Sequence, residues 1–229
     1  MAIDPATAPA VSRSDDPREA ALADLFTEIR ACRVCADVLP LGPRPIIRGR
    51  ASARLLIVSQ APGTRVHETG LSFNDRSGDR LRDWLGIDRA TFYDERSVAI
   101  LGMGFCYPGV DRQGGDLPPR PECAPLWHER VLALLPDIRV TLLVGGYGQR
   151  RYLAGRAGKT VTETVVRWRD YLPRYFPTPH PSWRNTGWLR RNPWYEAEAL
   201  PELRRHVADA LGRGSAVNGT APSHWPGSD

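Results

Sequence analysis

Three short stretches of the chain are mainly apolar, Leu55 to Ser59, Val98 to Leu101 and Val140 to Val144, and a weaker one lies near Tyr175 to Pro177. Runs this short, bounded by Gly and Pro, predict strands covered on both faces. Each is followed by a Gly/Pro-rich loop and then a stretch with helical character, around Gly78 to Leu85, Glu122 to Leu135, Tyr147 to Leu153 and Pro193 to Leu211. A further helix is predicted from Asp16-Pro17 to about Ala31, with the proline in the first turn, where its missing N–H costs little. Alternating β and α segments imply an α/β fold, a three-layer α/β/α sandwich around a central, mainly parallel four-stranded sheet. Ligands of such sheets sit at the carboxyl ends of the strands. The loops after Ser59, Leu101, Val144 and Phe176 are therefore where the chemistry is expected.

The 229 residues suit one domain, expected over 17–211. Residues 1–16, rich in Ala, Pro and Ser, and 212–229, rich in Gly, Ser and Pro, are expected to be disordered. The net charge is +5, and of the 31 basic residues only Lys159 is a lysine. Arginine's planar fork pairs with phosphate, so the excess fits a polyanionic partner; a GC-rich coding bias would produce the same excess. The opening MAIDPATAPA lacks the pattern of a signal peptide, and no apolar run approaches the roughly eighteen residues of a membrane span. A cytoplasmic protein with no membrane partner is expected. In that compartment its four cysteines suit metal ligation or buried thiols better than disulfides.

Two loops carry a sharper signal. The first reads SQAPGTRVHETGLSF from Ser59 to Phe73, and the second HPSWRN from His180 to Asn185. Either turn alone is common. Together, in this order and at these strand ends, they resemble the two signature motifs of the uracil-DNA glycosylase superfamily, closest to its iron–sulfur members, with Pro62, Gly63, Gly70 and Phe73 keeping the spacing of the first motif. The resemblance covers roughly Cys32 to Leu211. It implies a hydrolase of base-excision repair that flips uracil out of single- or double-stranded DNA and cleaves its N-glycosidic bond, leaving an abasic site, as a monomer associated with the nucleoid. It also assigns roles. His180 would stabilise the departing uracil anion, Phe73 would stack on the flipped base, and Pro62, Gly63 and Ser182 would approach phosphates through backbone N–H groups and a hydroxyl.

The first motif departs from the family at the end that activates water. Where the best-known members carry Asp there is Ala61; where the iron–sulfur members carry Glu there is Gln60, which cannot act as a base. The acidic pair usual a few residues later is replaced by Val66 and His67. Candidates for the base are His67, Glu68 and Asp75, the last within Phe73-Asn74-Asp75-Arg76-Ser77-Gly78-Asp79, which resembles a segment of another iron–sulfur group with one residue missing. Asp75 and Asp79 also suit N-caps of the helix that follows. The Asn that reads the pyrimidine edge in many members is Gly102 here, so uracil recognition would fall to backbone around Gly102 to Phe105 and at Ala61, or to a side chain such as Asn74 or Asn185. These departures leave a second possibility, a protein of the same fold that holds or traps uracil or abasic sites without turnover.

Cys32 and Cys35 form a C-x2-C pair, and Cys106 and Cys123 a C-x16-C pair. The layout resembles the ligand set of the [4Fe–4S] cluster in the iron–sulfur members, while zinc or metal-free buried thiols stay open on chemistry alone. Between the last two cysteines lies a Gly/Pro-rich loop that a metal staple would hold. After the second motif, Trp183, Arg184, Asn185 and Trp188 interleave aromatics with basic and polar groups. The resemblance gives Trp183, Arg184 and Trp188 the role of a wedge in the minor groove or of phosphate contacts; a helix-anchoring role is the alternative for Trp188.

Overall fold

The computed structural model describes residues 16–213. The end segments expected to be disordered fall almost wholly outside that range. Four parallel strands, β1 (Leu55–Ser59), β2 (Val98–Gly102), β3 (Val140–Val144) and β4 (Tyr175–Thr178), form one sheet in the order β2-β1-β3-β4. The registers pair Leu55 with Val98 and with Val140, and Thr141 with Tyr175. Side chains alternate between the two faces of the sheet, and both faces are covered, which is why the strands read as mainly apolar runs.

On one face Leu55, Ile57, Ile100, Leu142 and Phe176 pack with α3 (Arg76–Leu85) and α9 (Leu200–Ala210). On the other, Leu56, Val58, Leu101 and Leu143 meet α1 (Pro17–Arg30) and α5 (Cys123–Ala133). Helix α1 buries Leu22, Leu25, Phe26 and Ile29, the stripe of an amphipathic helix, and Asp16 caps it by accepting the N–H of Arg18 at 2.9 Å.

The predicted strands stand within one residue of the observed ones. Several short helices were not predicted: α2 (Thr64–Thr69), α4 (Arg89–Tyr93), α7 (Val161–Val166) and α8 (Thr186–Arg191), the first lying inside the supposed loop after β1. The stretch Tyr147 to Leu153 is α6 (Gly146–Tyr152). Pro193 to Leu211, read as one helix, is helical from Pro193 to Ala210, with a wide π turn at Tyr195–Ala199 leading into α9. Pro201 in the first turn of α9 explains the widened turn, because it offers no N–H and its ring would press on the carbonyl four residues earlier, inside the π turn.

Candidate functional site

At the carboxyl ends of β1 and β2 the backbone ladder continues past the strands. Met103 N–H donates to Ser59 O at 2.9 Å and Gly104 N–H to Gln60 O at 3.0 Å, so Gln60 and Ala61 run beside Gly102. A Cβ on Gly102 would stand 2.3 Å from the Gly104 carbonyl oxygen and 3.6 Å from the Cα of Ala61. No side chain fits there. The Gly102 carbonyl is taken from behind by His128 Nε2 at 2.9 Å, and His128 Nδ1 meets the Tyr152 hydroxyl at 2.8 Å. Burial pushes the pKa of His128 down to about 4. This neutral, buried histidine on α5 was not picked out in the sequence.

Phe73 has the backbone of a left-handed residue, φ 56°, which a non-glycine side chain adopts at a cost of about 1 kcal/mol or more. Its carbonyl accepts from Tyr93 Oη at 3.2 Å and Arg82 Nη1 at 3.4 Å, and its buried ring meets Phe92 edge-on at 6.0 Å. Gly78 makes the turn possible: a Cβ there would fall 1.8 Å from the Phe73 carbonyl oxygen. Gly78→Ala is therefore expected to destabilise the protein by roughly 3 kcal/mol, the upper range for overpacking. Urea unfolding measures this, and a loss below about 0.5 kcal/mol, within the scatter of neutral surface changes, would mean the loop yields freely.

After β4 the chain turns through Pro179, His180, Pro181 and Ser182. His180 Nδ1 accepts the Ser182 N–H at 3.2 Å, and Asn185 Nδ2 donates to the His180 carbonyl at 2.7 Å. Arg80 on α3 fixes the same turn by donating to Ser182 O at 3.0 Å. With Nδ1 acting as acceptor, the neutral imidazole carries its proton on Nε2. Burial lowers the His180 pKa, opposed by the charges of Asp75 and Asp116.

These pieces surround one open cavity of about 590 Å³. Its lining brings together Gln60, Ala61, Pro62, Gly63, Phe73, Asp75, Gly102, His180, Ser182, Trp183, Arg184 and Asn185. Trp183 stands on its rim, 74% exposed. The other candidates lie elsewhere. His67 and Glu68 are on α2, His67 facing Tyr107 at 5.9 Å between ring centres and Glu68 exposed, and Arg44 binds the carbonyl oxygens of both. Asn74 is outside the cavity too, its Oδ1 accepting from Arg89 Nη2 at 3.1 Å. Asp75 does line the cavity but also caps α3, accepting the Gly78 N–H at 3.0 Å. Trp188 is an anchor, not a wedge: its Nε1 donates to Thr162 Oγ1 at 2.8 Å and its ring packs on Trp194 and Tyr195. Asp116, from the loop between Cys106 and Cys123, lines the cavity although nothing in its local sequence placed it there.

All four cysteines are unpaired and line a second, small pocket of about 30 Å³, with Ile29, Leu39, Phe105 and Trp127 among its walls. Cys32 follows α1, Cys106 follows β2 and Cys123 opens α5, its sulfur accepting the Phe105 N–H at 3.3 Å. Burial raises Cys106 to about 11 and Cys123 to about 12, and the neighbouring thiols add to both. Among the described residues no three His, Cys, Asp or Glu side chains are grouped so as to hold a metal ion.

A family model described as the Uracil DNA glycosylase superfamily matches residues 47–204, a span that holds both motif loops, all four strands and the open cavity.

Proposed function

The chain belongs to the Uracil DNA glycosylase superfamily, and from that membership, which carries glycosylase chemistry on DNA in general, we propose that its substrate base is uracil, flipped into the cavity and released by hydrolysis to leave an abasic site. The observation that carries this reading is the fixed tautomer of His180. Cleavage sends the electrons of the C1′–N1 bond into the departing base, and an N–H aimed at that base stabilises the anion as it forms. Ser182 holds Nδ1 as acceptor at 3.2 Å, which leaves Nε2–H as the donor. The lowered pKa keeps the ring neutral near pH 7. Phe73, strained and braced, offers the face on which a pyrimidine stacks. Gly63, with open space where a Cβ would be, and Ser182 give room for phosphates to approach the two turns. Trp183, exposed at the rim, is suited to fill the gap left by the flipped base.

The test is a uracil-containing oligonucleotide incubated with the protein and run with and without alkali, before and after denaturation. Alkali-dependent strand breakage on free DNA is the expected outcome. Absence of any alkali-labile site would overturn the proposal, and a complex that survives denaturation would favour the trapping alternative.

We infer that the four cysteines hold a [4Fe–4S] cluster. The donor set fits in kind: four thiols line one largely apolar pocket, and such a cluster takes one thiolate at each of its four iron atoms. When bound, the cluster would tie α1 and α5 to the chain following β2. Hydrolysis calls for no electron transfer, so its part is to hold the loop between Cys106 and Cys123.

A further inference from the structure

Gln60 and Ala61 stand where the family carries its water-handling acid, and of the three replacements legible in the sequence only Asp75 lines the cavity. One of its carboxylate oxygens caps α3. A second carboxylate is present. Asp116 belongs to the long loop between Cys106 and Cys123, yet it stands on the wall of the same cavity as Phe73 and His180.

Its position is built. Asp111 Oδ1 accepts the N–H groups of Gln113 and Gly115, both at 2.8 Å, folding residues 111–115 into a tight turn. Val110 and Asp116 pair as an antiparallel bridge, and Leu117 N–H donates to Gly109 O at 2.9 Å. Both motifs then reach over to this loop. Gln60 Nε2, from the first, donates to the Leu117 carbonyl at 3.4 Å, and Arg184 Nη2, from the second, donates to the Gly114 carbonyl at 3.1 Å. Asp116 lies between these two attachments. The amide that replaces the family's acid thus holds the loop on which another acid is delivered.

We propose that Asp116 is a catalytic residue, the carboxylate that orients the attacking water and takes its proton. This rests on the glycosylase reading. In the step, the C1′–N1 bond breaks with its electron pair going to uracil, and the water oxygen bonds to C1′. One water proton passes to the Asp116 carboxylate and from there to the uracil anion, so the products are neutral uracil and a 1′-hydroxyl abasic sugar. The carboxylate's negative charge also stabilises the positive sugar, and its influence on His180 is consistent with a place across the cavity from that ring.

The experiment is single-turnover release of uracil from a short duplex by the wild-type protein, Asp116→Asn, Asp75→Asn and Asp116→Ala, the last with and without sodium formate. Asp116→Asn keeps the shape of the side chain and should slow release by roughly 100- to 1,000-fold, the usual contribution of a general base. Its affinity for DNA should be equal or tighter, since a negative charge is removed. Asp75→Asn should lose less, and formate should restore part of the Asp116→Ala rate by standing in for the missing carboxylate. Wild-type release that is undiminished in Asp116→Asn overturns the assignment alone. So does a loss in Asp116→Ala that formate leaves untouched, which would make Asp116 a support of its loop. No release by the wild type overturns the glycosylase reading, and this assignment with it.

Discussion

His180→Ala is expected to slow single-turnover uracil release by roughly two to three orders of magnitude, the loss typical of one donor that acts on developing charge. Binding to uracil-containing DNA should stay within a few-fold of wild type, because the donor's contact strengthens only as the bond breaks. The pH dependence follows from the direction of the pKa shift. Burial holds His180 below the usual 6.5, so the neutral ring persists through neutrality and is lost only as pH falls beneath the lowered pKa. Protonation would set an Nδ1–H against the Ser182 N–H and release the contact that aims the ring. On His180's account the rate should be flat near pH 7 and fall on the acid side, with that component absent from His180→Ala. Rates measured from acid to neutral pH decide it. A loss confined to binding, with the chemical step intact, would remove His180 from the reaction.

Cys106→Ser should have the largest effect on the protein as a whole. If the thiols hold a cluster, the wild-type protein is brown, with broad thiolate-to-iron absorbance and bound iron and sulfide, and the variant is pale. The pocket joins α1, the chain after β2 and the start of α5. Its loss should therefore act beyond the site, lowering stability by roughly 5 kcal/mol, which for a chain of this size is about 10–20 °C in melting temperature. Visible absorbance, iron content and a thermal melt read this without any assay of activity. A wild-type protein that is colourless when prepared without oxygen and carries stoichiometric zinc, or no metal, would defeat the cluster and leave the fold untouched.

The sheet was legible because burial on both faces keeps the strands almost wholly apolar, Thr141 being the polar residue inside β3 and Ser59 the one that ends β1, and such short runs have few other uses. Short helices were another matter. The five or six residues of α2, α4 and α7 contain too little of the helical period to show a stripe, although Asp88 and the Thr160-x-x-Glu163 pattern were in place as caps. The motif loops were legible for His180, Ser182, Pro62 and Phe73, whose places follow from the ends of strands. His67 and Glu68 were drawn in by nearness in sequence. Once the segment coils into α2, both lie off the cavity, and Arg44 binds their carbonyls. Asp116 was invisible for the opposite reason: its place depends on contacts from Gln60 and Arg184, 56 and 68 residues away in number, and no local pattern encodes those. Trp188 shows the same limit, since the hydroxyl of Thr162 that fixes it lies on a helix the pattern did not disclose.

Gly102 ends β2 with no side chain, no room for one, and a carbonyl already committed to His128. A reader made of a buried amide rejects a mismatched base steeply, because the wrong partner strands a polar group, and such sites reach discrimination on the order of ten-thousand-fold or more. A wall made of glycine cannot do that. It sorts by outline, and an added or missing methyl in a fitted slot counts for only about 1–3 kcal/mol. If the flipped base meets this edge, preferences among bases should therefore form a gradient, graded by size and ease of flipping, with sharp selection left to whatever His180 and the opposite wall contribute.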